Sequence, residues 1–105
     1  MPLPPEELVE QLVAGHSVRV ERIVSSGHSN PSGDWAAQDR DEWVVLLEGD
    51  AELEYEDGTR VRLASGDHVL IPAGKRHRVE WTRKDPPCVW IAVHADQLMR
   101  GGADE

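Results

Sequence analysis

Hydrophobic and polar positions alternate along most of the chain, as they do in strands that bury one face. The clearest stretch is 51–56, where Ala, Leu and Tyr lie on one face and three glutamates on the other. Residues 43–47 are all apolar, which predicts a strand that is covered on both faces. Further short strands are predicted around 18–24, 60–63, 68–71, 77–81 and 89–93.

Turn residues separate these strands. Gly49-Asp50, Asp57-Gly58, Ser65–Asp67 and Pro72–Gly74 each interrupt the alternation, and 25–34 is a loop by composition. Six or more short strands joined by turns predict an all-β protein built as an antiparallel sandwich or barrel.

The turn at Asp57-Gly58 must keep the two faces of its hairpin in phase. A two-residue loop would place Glu54 opposite Val61 and mix charged with apolar positions. We therefore predict a three-residue loop, Asp57 to Thr59, which sets Glu54 beside Arg62. The acidic and basic stripes then form a solvated, charge-paired surface.

The N-terminal segment allows two interpretations. Apolar residues at helical spacing follow Pro4-Pro5 and predict a short helix over Glu6 to Ala14. The same residues also suit an extended arm that pairs with another strand. The chain is thus divided into an arm or helix at 1–17, a β-barrel at 18–96 and a weakly ordered tail at 97–105.

Charge and composition narrow the range of partners. Twenty acidic residues against eleven basic ones give a net charge of −9, which argues against nucleic acid and anionic membranes as partners. Neither a membrane span nor a secretion signal is found, and the lone Cys88 agrees with a reducing compartment, so a cytoplasmic location is expected. No phosphate-binding glycine loop or dinucleotide fingerprint indicates a nucleotide cofactor.

The stretch from Gly66 to His77 resembles the second motif of the cupins. That motif is a glycine, five residues, Pro-x-Gly, two residues and a metal-binding histidine, and every one of these positions matches here. The motif ends with an asparagine, at which point this chain has Trp81. The resemblance implies a double-stranded β-helix, the jelly-roll barrel of cupins.

The first cupin motif is only half present. Its glutamate and the glycine seven residues later correspond to Glu42 and Gly49. Its two histidines would fall at Ala36 and Gln38, so the histidine pair is missing.

The resemblance implies a divalent-metal site of Fe, Mn, Ni or Zn held by His77, Glu42 and Gln38. This set is short of imidazoles, and the alternative is a Glu–His pair joined by a hydrogen bond without metal. Alternation and resemblance together predict a small-molecule pocket around these three residues. Its expected lining is Trp35, Ala36, Val44, Tyr55, Val79, Trp81 and His94.

Three functions remain open from the sequence, and no catalytic residue is assigned. The first is a metal-dependent oxygenase, isomerase or lyase, as the resemblance suggests. The second is a metal-free module that binds a small organic molecule. The third is an interaction unit, because the outward residues Trp43, Val45 and Leu47 need covering; a homodimer is expected in every case.

Overall fold

Eight β-strands in two antiparallel sheets make up the part of the chain that the computed structural model describes, residues 7–30, 33 and 35–98. No helix occurs among these residues, so the all-β prediction is confirmed. Nor do they include any helix with the length and hydrophobicity needed to cross a membrane. The strands are β1 (Leu8–Ala14), β2 (Val18–Ser25), β3 (Asp41–Glu48), β4 (Asp50–Tyr55), β5 (Arg60–Ala64), β6 (His68–Ile71), β7 (His77–Thr82) and β8 (Cys88–Ala95).

The chain passes repeatedly between the two sheets. The five-stranded sheet has the order β1-β2-β8-β3-β6, and the three-stranded sheet has the order β5-β4-β7. Both sheets contribute apolar side chains to one core, which lies between them. The core residues are Val44, Leu46, Ala51, Leu53, Tyr55, Leu63, Ile71, Cys88, Trp90 and Ala92.

The short N-terminal helix is not formed, and the extended alternative is the correct one. Leu8–Ala14 is β1, which pairs antiparallel with β2 as the edge strand of the larger sheet. The register shifts between Gln11 and Val13, so Leu12 forms a bulge. Paired apolar residues at this spacing fit a helix and an edge strand equally well, and pairing with β2 decides between them. Of the predicted tail, residues 99–105 lie outside the described part.

The β4–β5 hairpin has the predicted loop length in a different position. The loop is 56–58, since the Tyr55 amide donates to the Thr59 carbonyl at 2.8 Å. Glu54 therefore lies opposite Arg60 and not Arg62, a shift of two residues that leaves each side chain on its predicted face. The Arg60 guanidinium lies 3.8 Å from the carboxylates of both Glu52 and Glu54, which makes this a charge-paired outer surface.

A bulge in β7 reverses the direction of its later side chains. Leu53 of β4 pairs with Val79, but Glu52 pairs with Trp81, so Glu80 is an additional residue on β7. Such a bulge moves every following residue to the opposite face. The inward positions before it are His77 and Val79; beyond it, Trp81 points outward.

Gly49 makes the passage from β3 to β4 possible. Its φ of +126° is one that residues with a side chain rarely adopt, and a Cβ here would lie 2.5 Å from the Cys88 Sγ atom. The glycine of the first motif is thus explained by backbone geometry and close packing.

Candidate functional site

Glu42 and His77 come from different sheets and meet inside the barrel. The Glu42 Oε1 atom lies 3.7 Å from His77 Nε2, and each residue is only 9% exposed. Glu42 is held in β3 opposite Ile71 and His94. His77 begins β7, where its backbone exchanges two hydrogen bonds with Ala36, at 2.8 and 2.9 Å.

The ring orientation of His77 is set by a main-chain carbonyl. Its Nδ1 atom lies 3.0 Å from the Lys75 carbonyl oxygen, and a carbonyl can only accept. Nδ1 therefore carries the hydrogen. In the neutral ring, Nε2 then presents a lone pair toward Glu42.

Gln38 also reaches this pair. Its amide nitrogen donates to Glu42 Oε1 at 3.5 Å, a long hydrogen bond. The side chain thus contacts Glu42 as a donor, whereas a metal ligand would present the amide oxygen.

His94 extends the site along the larger sheet. It is 3% exposed, and its Nε2 atom lies 3.3 Å from Glu21 Oε1 and 3.8 Å from Glu42 Oε2. The other oxygen of Glu21 lies 3.0 Å from Arg19 Nε. An array of alternating acidic and basic groups therefore runs from the partly exposed Arg19 to the buried His77.

Sequence reasoning missed Arg19 and Glu21. They alternate with Val18 and Val20, so a rule that turns apolar residues inward places them outside. In the structure Arg19 pairs with the inward-facing His94 across β2 and β8, and the valines face outward. The only available signal was an unusual abundance of apolar residues on both faces of neighbouring strands.

Burial raises the pKa of the Glu42 carboxyl above its ordinary value. The imidazoles of His94 and then His77 act in the opposite direction, but burial is the larger effect. Glu42 can therefore hold a proton at a higher pH than an exposed glutamate does.

Glu42 and His77 border a cavity of about 420 Å³, including the part that opens to solvent. Its enclosed part, about 80 Å³, is well below the roughly 300–1,000 Å³ of sites for drug-sized ligands, so the cavity suits a small ligand. Val44 and Val79, both predicted pocket residues, lie in its wall. The lining residues are Glu7, Ile23, Glu42, Val44, Leu53, Ile71, His77, Val79 and Trp90.

Glu7 and Trp90 were not among the predicted pocket residues. The Trp90 indole nitrogen donates to Ser25 Oγ at 3.2 Å, and that hydroxyl in turn donates to the Glu7 carboxylate. These two hydrogen bonds fix an acidic side chain, from the residue just before β1, at the cavity wall. Nothing local in the sequence indicates it, because the contact joins residues 18 positions apart.

The prediction that Trp81 lines the pocket is wrong. The bulge at Glu80 turns its indole to the outside, where it is 42% exposed and lies beneath Arg62, whose guanidinium carbon is 4.8 Å from the ring centre. Simple alternation from His77 cannot reveal this, because one additional residue reverses it.

Four other predicted pocket residues do not line the cavity: His94, which lies behind Glu42, and Tyr55, Trp35 and Ala36. Tyr55 is a core residue, 5% exposed, with the Lys75 ammonium 4.3 Å from its ring centre. Trp35 is half-buried, and the Arg78 guanidinium carbon lies 5.8 Å from its ring. Ala36 is exposed and contacts the site through its backbone bonds to His77.

The family described as Cupin domain matches residues 23–94, well over half of the sequence. This chain belongs to the cupin family. A search of curated proteins found no match.

Solved structures agree with this assignment. A proposed mannose-6-phosphate isomerase from Ralstonia eutropha JMP134 is 38% identical, with a TM-score of 0.85 over 90% of this cupin and 88% of that chain. An RmlC-like cupin with a double-stranded β-helix fold from Methanocaldococcus jannaschii is 19% identical, with a TM-score of 0.72 over 89% of this chain and 83% of that one. DMSP lyase from Ruegeria pomeroyi DSS-3 is 22% identical, with a TM-score of 0.72 over 90% of this chain and 49% of that chain. The last two likenesses support the fold alone.

The donor groups of this cupin do not fit a metal centre. Among the described residues, no group of three or more His, Cys, Asp or Glu side chains is arranged to hold an ion. The reason is visible at Glu42, whose Oε1 faces His77 while its Oε2 faces His94. The carboxylate thus lies between two imidazoles, and the donors do not converge on one point as tetrahedral or octahedral ligands must.

Proposed function

We propose that this cupin binds a small organic molecule in the barrel cavity, with Glu42 and His77 as the polar end of the site. The observation that carries the proposal is a buried carboxylate and a buried imidazole, 3.7 Å apart, at the wall of a largely apolar cavity. Buried polar groups are costly unless they find partners. A ligand that bonds to both would supply them, and the apolar wall would bury the rest of it.

The binding test is a thermal-shift screen of small organic molecules in the presence of EDTA. A ligand at 100 times its dissociation constant stabilises the folded state by about 2.7 kcal/mol, which is a readily measured shift. Organic ligands should raise the melting temperature of the chelated protein. A shift produced by divalent ions alone, with none from organic molecules, would contradict the proposal.

The second candidate is proton-transfer catalysis of the isomerase or lyase type at the same two residues. Its support is the raised pKa of Glu42 beside the lone pair of His77 Nε2, a combination that suits an acid role and a base role. The relative at 38% identity, named as a proposed isomerase, points the same way.

Solvent exchange tests this second candidate. Hydroxy-aldehydes and hydroxy-ketones incubated with the protein in D₂O should gain deuterium next to the carbonyl, as read by proton NMR. Glu42→Gln should remove this exchange, and Glu52→Gln, on the outer surface of the smaller sheet, should leave it unchanged. If no substrate exchanges above the uncatalysed rate, the cavity is a binding site without this chemistry.

A homodimer is the assembly we propose. The outer face of the five-stranded sheet is largely apolar; most of its apolar residues in β2, β3, β6 and β8 are half-buried, and those of β1 are exposed. Its two charged residues in β1 and β2, Glu10 and Arg22, already pair with one another at 2.5 Å. The apolar residues of this face, called here the outer patch, include Val20, Val24, Trp43, Val45, Leu70, Val89, Ile91 and Val93.

A second copy is the occupant that best fits the outer patch. Five strands about 4.8 Å apart, each of about seven residues with a rise of about 3.3 Å, cover about 550 Å². Two copies would bury about 1,100 Å² in total, which passes the roughly 1,000 Å² expected of a specific interface. Because each chain carries a charge of −9, a largely apolar patch is also where two copies approach with least repulsion.

A further inference from the structure

The polar groups of the cavity wall are mainly hydrogen-bond acceptors. Among the described residues, those lining the cavity include two carboxylates, Glu7 and Glu42, and one imidazole, His77, but no lysine or arginine. A carboxylate in its ionised form only accepts hydrogen bonds. Where these carboxyls are ionised, the wall therefore offers negative charge and lone pairs.

His77 is also a hydrogen-bond acceptor on the side that faces Glu42. Since its Nδ1–H is committed to the Lys75 carbonyl, the neutral ring presents only an acceptor, Nε2, toward Glu42 Oε1 at 3.7 Å. The long bond from Gln38 serves only Glu42 Oε1, so among the described residues His77 Nε2 still needs a donor. A hydroxyl or ammonium group of a ligand supplies that donor.

Arginines close to the site are already paired with glutamates. Arg78, which follows His77, lies 2.9 Å from Glu54, and Arg76, which precedes it, lies 3.5 Å from Glu56. Each arginine thus has its charge balanced by a neighbouring carboxylate, so it is poorly placed to receive a second anion.

We propose that the cavity selects uncharged or positively charged molecules that donate hydrogen bonds, such as alcohols and amines, and rejects carboxylates and phosphate esters. This inference rests on the proposed binding function and narrows its ligand class. An anion would have to approach Glu7 and Glu42 beside a largely apolar wall, where repulsion is stronger than in bulk water. The chain would then differ in ligand from a mannose-6-phosphate isomerase, despite 38% identity to a protein proposed to be one.

Three size-matched probes test the proposal at pH 7: 1-butylamine, 1-butanol and butyrate. Binding is followed by NMR titration of the methyl groups of Ile23, Val44, Leu53, Ile71 and Val79, which line the cavity. We expect butylamine to bind most tightly, butanol next, and butyrate at least tenfold more weakly than butylamine. Equal or tighter binding of butyrate overturns the ligand class and leaves a binding cavity in place. If none of the three probes shifts these methyl signals, the binding function itself is overturned, and this inference with it.

Mannose and mannose 6-phosphate extend the test to phosphate esters. The sugar should perturb the cavity methyl groups at concentrations at least tenfold below those that its phosphate requires. Tighter binding of mannose 6-phosphate would overturn the proposal.

A matched pair of variants distinguishes an effect of the cavity on ligand preference from an effect of the protein's net charge. Glu42→Gln and Glu52→Gln each remove one potential negative charge, but Glu52 lies on the outer surface of the smaller sheet beside Arg60. Glu42→Gln should reduce the butylamine preference over butyrate at least fivefold and leave butanol binding within threefold. Glu52→Gln should leave the preference unchanged. Equal effects of the two variants would attribute the preference to overall charge and overturn the assignment to the cavity.

Discussion

Glu21 accepts a hydrogen bond from His94 across the inside of the larger sheet, with 3.3 Å between Oε1 and Nε2. The two residues are 73 positions apart in the sequence. Because the same Nε2 atom also faces Glu42 Oε2 at 3.8 Å, two carboxylates hold the hydrogen on that nitrogen. Glu21 thereby fixes the ring beside the residue on which the proposed function depends.

Glu21→Gln should destabilise the protein, because an amide is a weaker partner for the buried imidazole than a carboxylate. Hydrogen bonds to charged groups contribute about 1.5–3 kcal/mol, so we expect a loss of about 1–3 kcal/mol in the free energy of unfolding by urea at pH 7. Glu52→Gln, which affects an exposed ion pair, should cost at most about 1 kcal/mol. Equal costs for the two variants would mean that the Glu21–His94 contact contributes nothing specific.

Glu42→Gln should change how stability depends on pH. Burial raises the pKa of Glu42 in the folded protein, so the folded state binds this proton more tightly than the unfolded state does. Wild-type stability relative to the variant should therefore fall as the pH rises from the ordinary glutamate pKa, about 4.3, through the raised value. Urea unfolding of both proteins between pH 4 and pH 8 measures this difference. A relative stability that rises with pH would show that the imidazoles, and not burial, dominate at Glu42.

The two tryptophans of β7 and β8 should respond very differently to truncation. Trp90 is 4% exposed and forms part of the cavity wall, so Trp90→Ala should cost about 3–5 kcal/mol of unfolding free energy. Trp81 is 42% exposed, and Trp81→Ala should cost about 1 kcal/mol or less, chiefly through its contact with Arg62. Urea titration followed by far-UV circular dichroism avoids dependence on tryptophan fluorescence. A larger cost at Trp81 would contradict the outward position set by the bulge.

A charge in the outer patch should separate the proposed dimer. Ile91 lies at the middle of β8 between Arg22 and Val45, and Ile91→Lys would place a charge inside the contact. Sedimentation of the wild type at micromolar concentration should give twice the 11.7 kDa mass of one chain, and that of the variant a single mass. Thr59→Lys, in the exposed β4–β5 hairpin, should remain a dimer. A wild-type protein that sediments as one chain would contradict the proposal.

The sequence was sufficient for the fold and for the central pair of the site. Turn residues at fixed spacing placed His77 at the start of a strand, and Glu42 followed from its distance to Gly49. Such local signals work because tight turns restrict which residues can occupy them. They also carry the assignment of the chain to the cupins.

The site residues that the sequence did not predict depend on pairing between strands that are distant in the sequence. Glu7 and Glu21 reach the site only through β1 and β2, whose apolar residues largely face outward. An inside-out strand of this kind is expected where a second surface covers the outer face, and periodicity alone cannot tell the two faces apart.

The additional residue Glu80 determines how much of the barrel interior is left open as a cavity. If Glu80 were deleted, β4 and β7 would pair without a bulge. The indole of Trp81 would then point into the cavity that is now open to a ligand. An insertion or deletion at this point would therefore exchange an open interior for a filled one, while the strands and their order stay as they are.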